Sequence, residues 1–241
     1  MTRDSRLVSV ILPVFNGADY LSAALESILT QLYRSVEVIV VDDGSTDGSG
    51  SIAQEIGSRA DDIQFTCIHQ ANQGAAAARN TGLDAATGHL IAFLDADDQW
   101  LPDKLERQVA AAQSSVDVGC VICRMRAVLD SGAEWPSNRN ESHYAQEPPA
   151  YIPSGLLAHR WVFDRVGGFD PGYRVGEDTD WFFRVRDAGI SVVVVPEVLL
   201  LRRIRAGSLS SEARPANPEM MRLLRASMQR RRAGGTTAEN A

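Results

Sequence analysis

LIAFLDADD, positions 90–98, is an apolar run from Leu90 to Leu94 that ends in three carboxylates, Asp95, Asp97 and Asp98. The apolar part reads as a buried strand. Burying unpaired carboxylates is costly, and like charges this close repel one another, so a cation is expected beside them. A divalent metal carrying a diphosphate meets that need, because hard cations take oxygen ligands and leave positions for substrate phosphates. Taken alone, a solvated acidic loop after a strand accounts for the same residues equally well.

A second acidic strand end tips the balance. VEVIVVDDGSTDGS (36–49) is a β-rich run that stops at Asp42 and Asp43, followed by a Gly-Ser-Thr-Asp-Gly turn and a helical stretch. LVSVILPVFNGADYL (7–21) gives another strand with a stop at Pro13. A helix follows, carrying Leu21, Leu25, Ile28 and Leu32 at helical spacing. Strands alternating with helices imply a mainly parallel sheet, and such sheets bind ligands at the carboxyl ends of their strands. Pro13–Asn16, Asp42/Asp43 and Asp95–Asp98 all fall at those ends.

These segments resemble the family 2 inverting glycosyltransferases. The resemblance rests on VSVILPVFNGADYL, VVDDGSTDGS, NQGAAAARNTGLDAATGHLIAFLDADD (72–98) and GGFDPGYRVGEDTDWFFR (167–184), in that order. It implies a GT-A-like, Rossmann-type single α/β domain with a mainly parallel central sheet flanked by helices. It also implies transfer of a sugar from a nucleoside-diphosphate sugar, UDP-linked, to an acceptor hydroxyl, with Mg2+ or Mn2+ as cofactor. No QxxRW motif is present, which points to single-sugar transfer over polymerisation.

Residue roles carry over from the resemblance position by position. Asp97, the second acid of the DAD pair, is the expected metal ligand, and Asp95 the ribose contact. Asp98 is expected to cap a helix opened by Pro102 or to shape the loop, ahead of assisting at the metal. Pro13, Phe15 and Asn16, with Asp42 or Asp43, frame the base. Asp42 is favoured as ligand and Asp43 as a turn former, since a carboxylate accepting a ring N–H selects uracil over cytosine. Arg79, one turn into a helix at the sheet edge, is placed to fork onto phosphate. Asn80 and Gly82 read as structural. Asp178 of the Glu-Asp pair is the expected base, ahead of Glu177 and Asp180. Its place at a helix start favours the ionised form. Relatives carry a His two residues after an Arg near the late strand. Here LRRIRAGSLS (201–210) has Arg203 and then Arg205 instead. Arginine cannot ligate a cation, but it can fork onto a phosphate, so Arg205 is assigned to the leaving diphosphate.

Two alternatives compete. A sugar nucleotidyltransferase also pairs carboxylates with a nucleotide, but it is expected to carry a Gly-rich loop with a Lys where this chain has PVFNGAD. A non-catalytic nucleotide-sugar-binding protein would not need the DAD and Glu-Asp motifs.

Composition sets outer bounds. The 241 residues are 44% hydrophobic with a net charge of −7, which argues against general nucleic-acid binding. No apolar run is long enough to span a bilayer, and cytoplasmic residence is the expectation. Cys120 and Cys123 form a CxxC pair within a strand, where residues three apart point to opposite faces, so buried thiols are expected and not a zinc site. The organisation read from the chain is a nucleotide-sugar half (1–110), an acceptor and catalytic half (111–211), and a basic helix with a disordered tail (212–241). The polar stretch 131–151 is assigned to the acceptor side. The helix at 220–232 carries Met221, Leu224 and Met228 in a stripe among arginines. It suits either docking on its own domain or weak contact with anionic lipid.

Overall fold

The computed structural model describes residues 7–130, 135, 141–205 and 218–238, with the side chains of the last helix from Met220 to Arg231. In chain order the elements are β1 (Val8–Val14), α1 (Ala18–Leu29), β2 (Val36–Asp42), α2 (Ser49–Gly57), β3 (Gln64–His69), α3 (Ala75–Ala85), β4 (Leu90–Phe93), β5 (Gln99–Trp100), α4 (Lys104–Ala112) and β6 (Val118–Leu129). They continue with α5 (Glu141–Tyr144), β7 (Leu156–His159), α6 (Arg160–Val166), α7 (Glu177–Asp187), β8 (Ser191–Ile204) and α8 (Pro218–Ala238).

Among the described residues the strands form one eight-stranded sheet in the order β3-β2-β1-β4-β7-β6-β8-β5. The N-terminal side is parallel as expected, with β1 paired to β2 and β4, and β2 paired to β3. The C-terminal side is not. β7 runs antiparallel to both β4 and β6, and β5 antiparallel to β8, while β6 and β8 are parallel. The sheet is therefore mixed. The sheet is continuous across residue 110.

Alternation along β1 shows how the layers form. Val8, Val10, Leu12 and Val14 join α1, α2 and α4 in one apolar cluster, and Ile11 joins α3, α6 and α7 in the other. Period-two side chains on a strand buried on both faces build a three-layer α/β/α sandwich. The Cys pair divides in the same way: Cys120 belongs to one cluster and Cys123 to the other, both as free thiols. Trp181 is wholly buried, its ring stacked on Phe163 at a centroid distance of 4.9 Å.

Both strand prolines find sites that spare the ladder. Pro13 does not end β1, which runs on to Val14. The carbonyl of Ile11 accepts the N–H of Leu94, so Pro13, two residues on, faces the same side, where β4 has already ended at Phe93. Its missing donor breaks no pairing. Pro196 sits where four residues of β8 span two of β6, between the pairs Ile122–Val194 and Arg124–Val198, so β8 continues past it as one strand.

At the C-terminus α8 continues to Ala238, so the tail is helical well beyond the expected disordered start at 233. Residues 239–241 lie outside the described residues, as does most of 131–140. The part of the polar stretch that is described packs back on β6, where Arg126 pairs with Glu147 and Arg124 donates to the Glu147 carbonyl.

Gly82 brings α3 close to the sheet. A Cβ there would stand 2.4 Å from Cγ2 of Ile11, a fully buried residue of central strand β1. Gly82→Ala should therefore destabilise the chain by about 1–3 kcal/mol through overpacking, despite alanine's better helix propensity. Urea unfolding of the variant against the parent measures this. A more stable variant would show that α3 can lift away freely.

Candidate active site

A cleft of about 990 Å3 opens at the carboxyl ends of β1, β2 and β4. It brings together residues far apart in sequence: Pro13, Phe15, Asp43, Arg79, Asp95, Asp97, Asp178 and Arg205 all line it. Asn16 and Asp42 do not.

The floor is the DADD loop. The Asp95 N–H donates to Ser154 Oγ at 3.1 Å, and Asp95 Oδ1 accepts from Arg79 Nη2 at 2.7 Å. Asp97 Oδ2 accepts from Arg205 Nε at 2.8 Å. Asp98 is not a helix cap. It is buried, and its Oδ1 accepts the backbone N–H of Arg203 at 3.0 Å, tying the loop to the end of β8. Burial pushes the Asp98 carboxyl up to about 7, and the negative charges of Asp97 and Asp95 add to the rise.

Arg79 is almost fully buried and does not present its fork to the cleft. Nη1 donates to Glu177 Oε1 at 2.8 Å while Nη2 holds Asp95, and the guanidinium lies over the Phe169 ring. Burial alone would lower the Arg79 pKa, but Asp95 and Glu177 together hold it above its ordinary value. Glu177 titrates above the usual carboxylate range because it is buried, with Asp178 adding to this and Arg79 opposing it. Asn80, on the next helical position, bonds both ways to Phe169, which fixes the loop before α7.

Of the three acids opening α7, only Glu177 and Asp178 line the cleft. Asp178 Oδ1 accepts the N–H of Thr179 at 2.6 Å. Asp180 is buried and engaged by Arg184 and Arg230, a structural role that removes it as a base.

The two acids of the second strand end face different surroundings. Asp42 turns away from the cleft, accepting the Ser45 N–H at 2.9 Å, with His69 Nδ1 3.1 Å from its other oxygen. Asp43 lines the cleft but accepts from Gln70 Nε2 and from the N–H groups of Gln73 and Gly74, at 2.7–2.9 Å. It shapes the 72–74 loop ahead of α3. Asn16, at φ 49°, accepts the Thr46 N–H and so clamps the first loop to the second. Phe15 projects at the rim, 52% exposed.

Several site residues escape a sequence reading. Asp47 accepts the Ala18 N–H and bonds Ser49, whose hydroxyl accepts the Gly17 N–H, so the STDGS turn caps α1 from another loop. Tyr20 donates to Asp130 Oδ2 at 2.6 Å, and its ring lies under both Arg203 and Arg205. Arg203 also pairs with Asp130. No motif announces Tyr20, which lies between Asp19 and Leu21; only the fold brings it beside β8.

The model of "Glycosyl transferase family 2" matches residues 9–175. The chain belongs to that family. It is 47% identical over 175 residues to an uncharacterized glycosyltransferase of Nostoc sp., covering 68% of this chain and 54% of that protein. It is 33% identical to the uncharacterized glycosyltransferase YibD of Escherichia coli, covering 67% of this chain and 47% of YibD. The chain thus spans about half the length of these relatives. The crystal structure of S. aureus TarS 1–349 with UDP-GlcNAc superposes with a TM-score of 0.74 at 20% identity, over 93% of this chain and 66% of that one. The mannosyltransferase PcManGT of Pyrobaculum calidifontis, in complex with GDP-Man and Mn2+, superposes with a TM-score of 0.67 at 25% identity, over 84% and 57%. The fold is the GT-A fold expected from the sequence, with a mixed sheet.

The raised Asp98 pKa has a consequence for stability. Between its ordinary value of 3.8 and about 7, the folded chain holds a proton that the unfolded chain releases. This contribution is full at acid pH and declines as pH rises through that window. Asp98→Asn keeps the acceptor for Arg203 and should flatten the decline, leaving the variant the more stable above pH 7. Urea unfolding across pH in chelator tests it, and parallel pH profiles for both proteins would refute the assignment.

Proposed function

We propose that the cleft transfers a single sugar from a nucleoside-diphosphate sugar, UDP-linked, to an acceptor hydroxyl with inversion. The observation that carries this reading is the convergence of Asp95, Asp97 and Arg205 on one wall with Asp178 on the same cleft. Family membership favours glycosyl transfer over nucleotidyl transfer.

Each chemical demand has a residue. Asp178 takes the proton of the acceptor hydroxyl as general base. Glu177, held by Arg79, fixes the first turn of α7 that carries it. Arg205 neutralises charge growing on the leaving diphosphate. The carboxylates Asp97 and Asp95 offer only oxygen donors, which suits Mg2+ or Mn2+. Among the described residues no three His, Cys, Asp or Glu side chains cluster as a complete metal cage, so donor phosphates and water complete the shell. The cation, when bound, neutralises the same diphosphate. Because Arg205 already pairs with Asp97, a cation held there would displace or share that partner and would be expected to bind with modest affinity.

Asp178→Asn should lower turnover about 10²–10⁴-fold and leave donor binding nearly unchanged. Product formation and calorimetry with UDP measure the two separately. Parent-like turnover would move the base to Glu177. Stabilisation by GDP-mannose but not by UDP-sugars in a thermal-shift panel would replace the proposed base with guanine.

Arg205→Ala should cost turnover more than donor affinity, since its contact strengthens as charge develops. The parent should retain part of its activity in chelator, and the variant none. Asp97→Ala should abolish the metal effect on UDP binding. If Arg205→Ala works at the parent rate with the same metal dependence, Arg205 is merely solvated.

A further inference from the structure

We propose that α8 is a docking surface for an anionic lipid bilayer. One side of the helix is committed to the domain. Leu223 is fully buried and packs over Gly176, Ser227 bonds Asp187, and Arg230 Nε pairs with Asp187 Oδ2 at 3.1 Å. The stripe of Met221, Leu224 and Met228 is not the side that docks. With Met220 it stands 39–51% exposed. At 100° per residue, exposed Arg225 flanks that stripe on one side, and Arg231, 3.9 Å from Asp187, borders it on the docked side. Apolar residues bordered by arginines on a helix lying along a surface fit the boundary between lipid headgroups and acyl chains.

Charge selects the occupant. Residues 220–232 hold Arg222, Arg225, Arg230, Arg231 and Arg232 and no acid, in a chain of net charge −7. Arg230 and Arg231 answer Asp187, but a second copy would set Arg222 and Arg225 against each other, and a neutral membrane would leave their charge unanswered. An anionic headgroup layer complements them, while the acidic remainder of the domain is repelled from it, which orients the molecule. Among the described residues no helix is long and apolar enough to cross a membrane, so α8 lies on the surface.

Docking has a consequence for the cleft. The Arg222 guanidinium lies 4.3 Å from the centroid of the Tyr173 ring, and Tyr173 lines the cleft beside the start of α7. α8 thereby braces the wall next to Asp178, and its bilayer contact brings that wall to the membrane, where a lipid-anchored acceptor is presented. This consequence rests on the glycosyl-transfer reading; the docking itself does not.

The test is sedimentation of the full chain with phosphatidylcholine vesicles, with and without phosphatidylglycerol. Two variants accompany it: Met221→Ser/Leu224→Ser/Met228→Ser and Arg225→Glu. The parent should pellet only with anionic vesicles and be released by salt. Each variant should partition at least roughly tenfold more weakly, with an unchanged thermal shift on UDP addition showing that the domain is intact. No pelleting of the parent, equal pelleting with neutral vesicles, or variants that pellet like the parent would overturn the proposal. So would a dimer in light scattering that the serine substitutions disperse, since a second copy would then cover the stripe. If anionic vesicles bind but UDP gives no shift, docking stands and the donor reading fails.

Discussion

A buried arginine holds this site together. Arg79 comes from α3, Asp95 from the loop after β4, and Glu177 from the first turn of α7, and the guanidinium bonds both acids at 2.7–2.8 Å. An arginine this deep is tolerated only when its charge is answered, and the fork geometry lets one cation answer two carboxylates. Removing Arg79 leaves Glu177 buried without its cation, while removing either acid leaves the guanidinium with the other. The position of α7 relative to the DADD loop, and with it the place of Asp178 relative to Asp97, depends on this pair of contacts.

The same logic extends over the cleft wall. Asp97 pairs with Arg205, Asp130 with Arg203, and Tyr20 lies beneath both arginines with its hydroxyl on Asp130. β8 delivers the two arginines two residues apart, so both point to one side of the sheet. Asp98 has instead the backbone N–H of Arg203 as its donor, and burial drives its carboxyl up to about 7. A leaving diphosphate entering this wall meets positive charge that is already oriented. Preorganised charge of this kind acts without reorganisation at the moment of reaction.

The sequence alone determined the strands and helices of the N-terminal half, the carboxyl-end location of the site, and the family. These are local properties: runs of buried β-branched residues, helical spacing in α1, and Asp and Gly at strand ends. It also separated Cys120 from Cys123, because period two follows from the backbone. The roles of Asp42 and Asp43 were not legible, since adjacent residues on a strand end point oppositely and only the partner loops decide which faces the cleft. The bond that Asp98 makes was not legible, because its donor, the Arg203 N–H, lies 105 residues away.

Tertiary structure decided the rest. It turned the sheet mixed by laying β7 antiparallel between β4 and β6, a choice that a four-residue strand does not encode by itself. It gave Arg79 to two carboxylates and not to solvent, and removed Asp180 into an ion pair with Arg184. It also docked α8 through Leu223, Ser227 and Arg230, leaving the stripe at Met221, Leu224 and Met228 outside. Sequence pattern reports which residues share a face. Which face is buried depends on the surface it meets, and that surface exists only once the chain has folded.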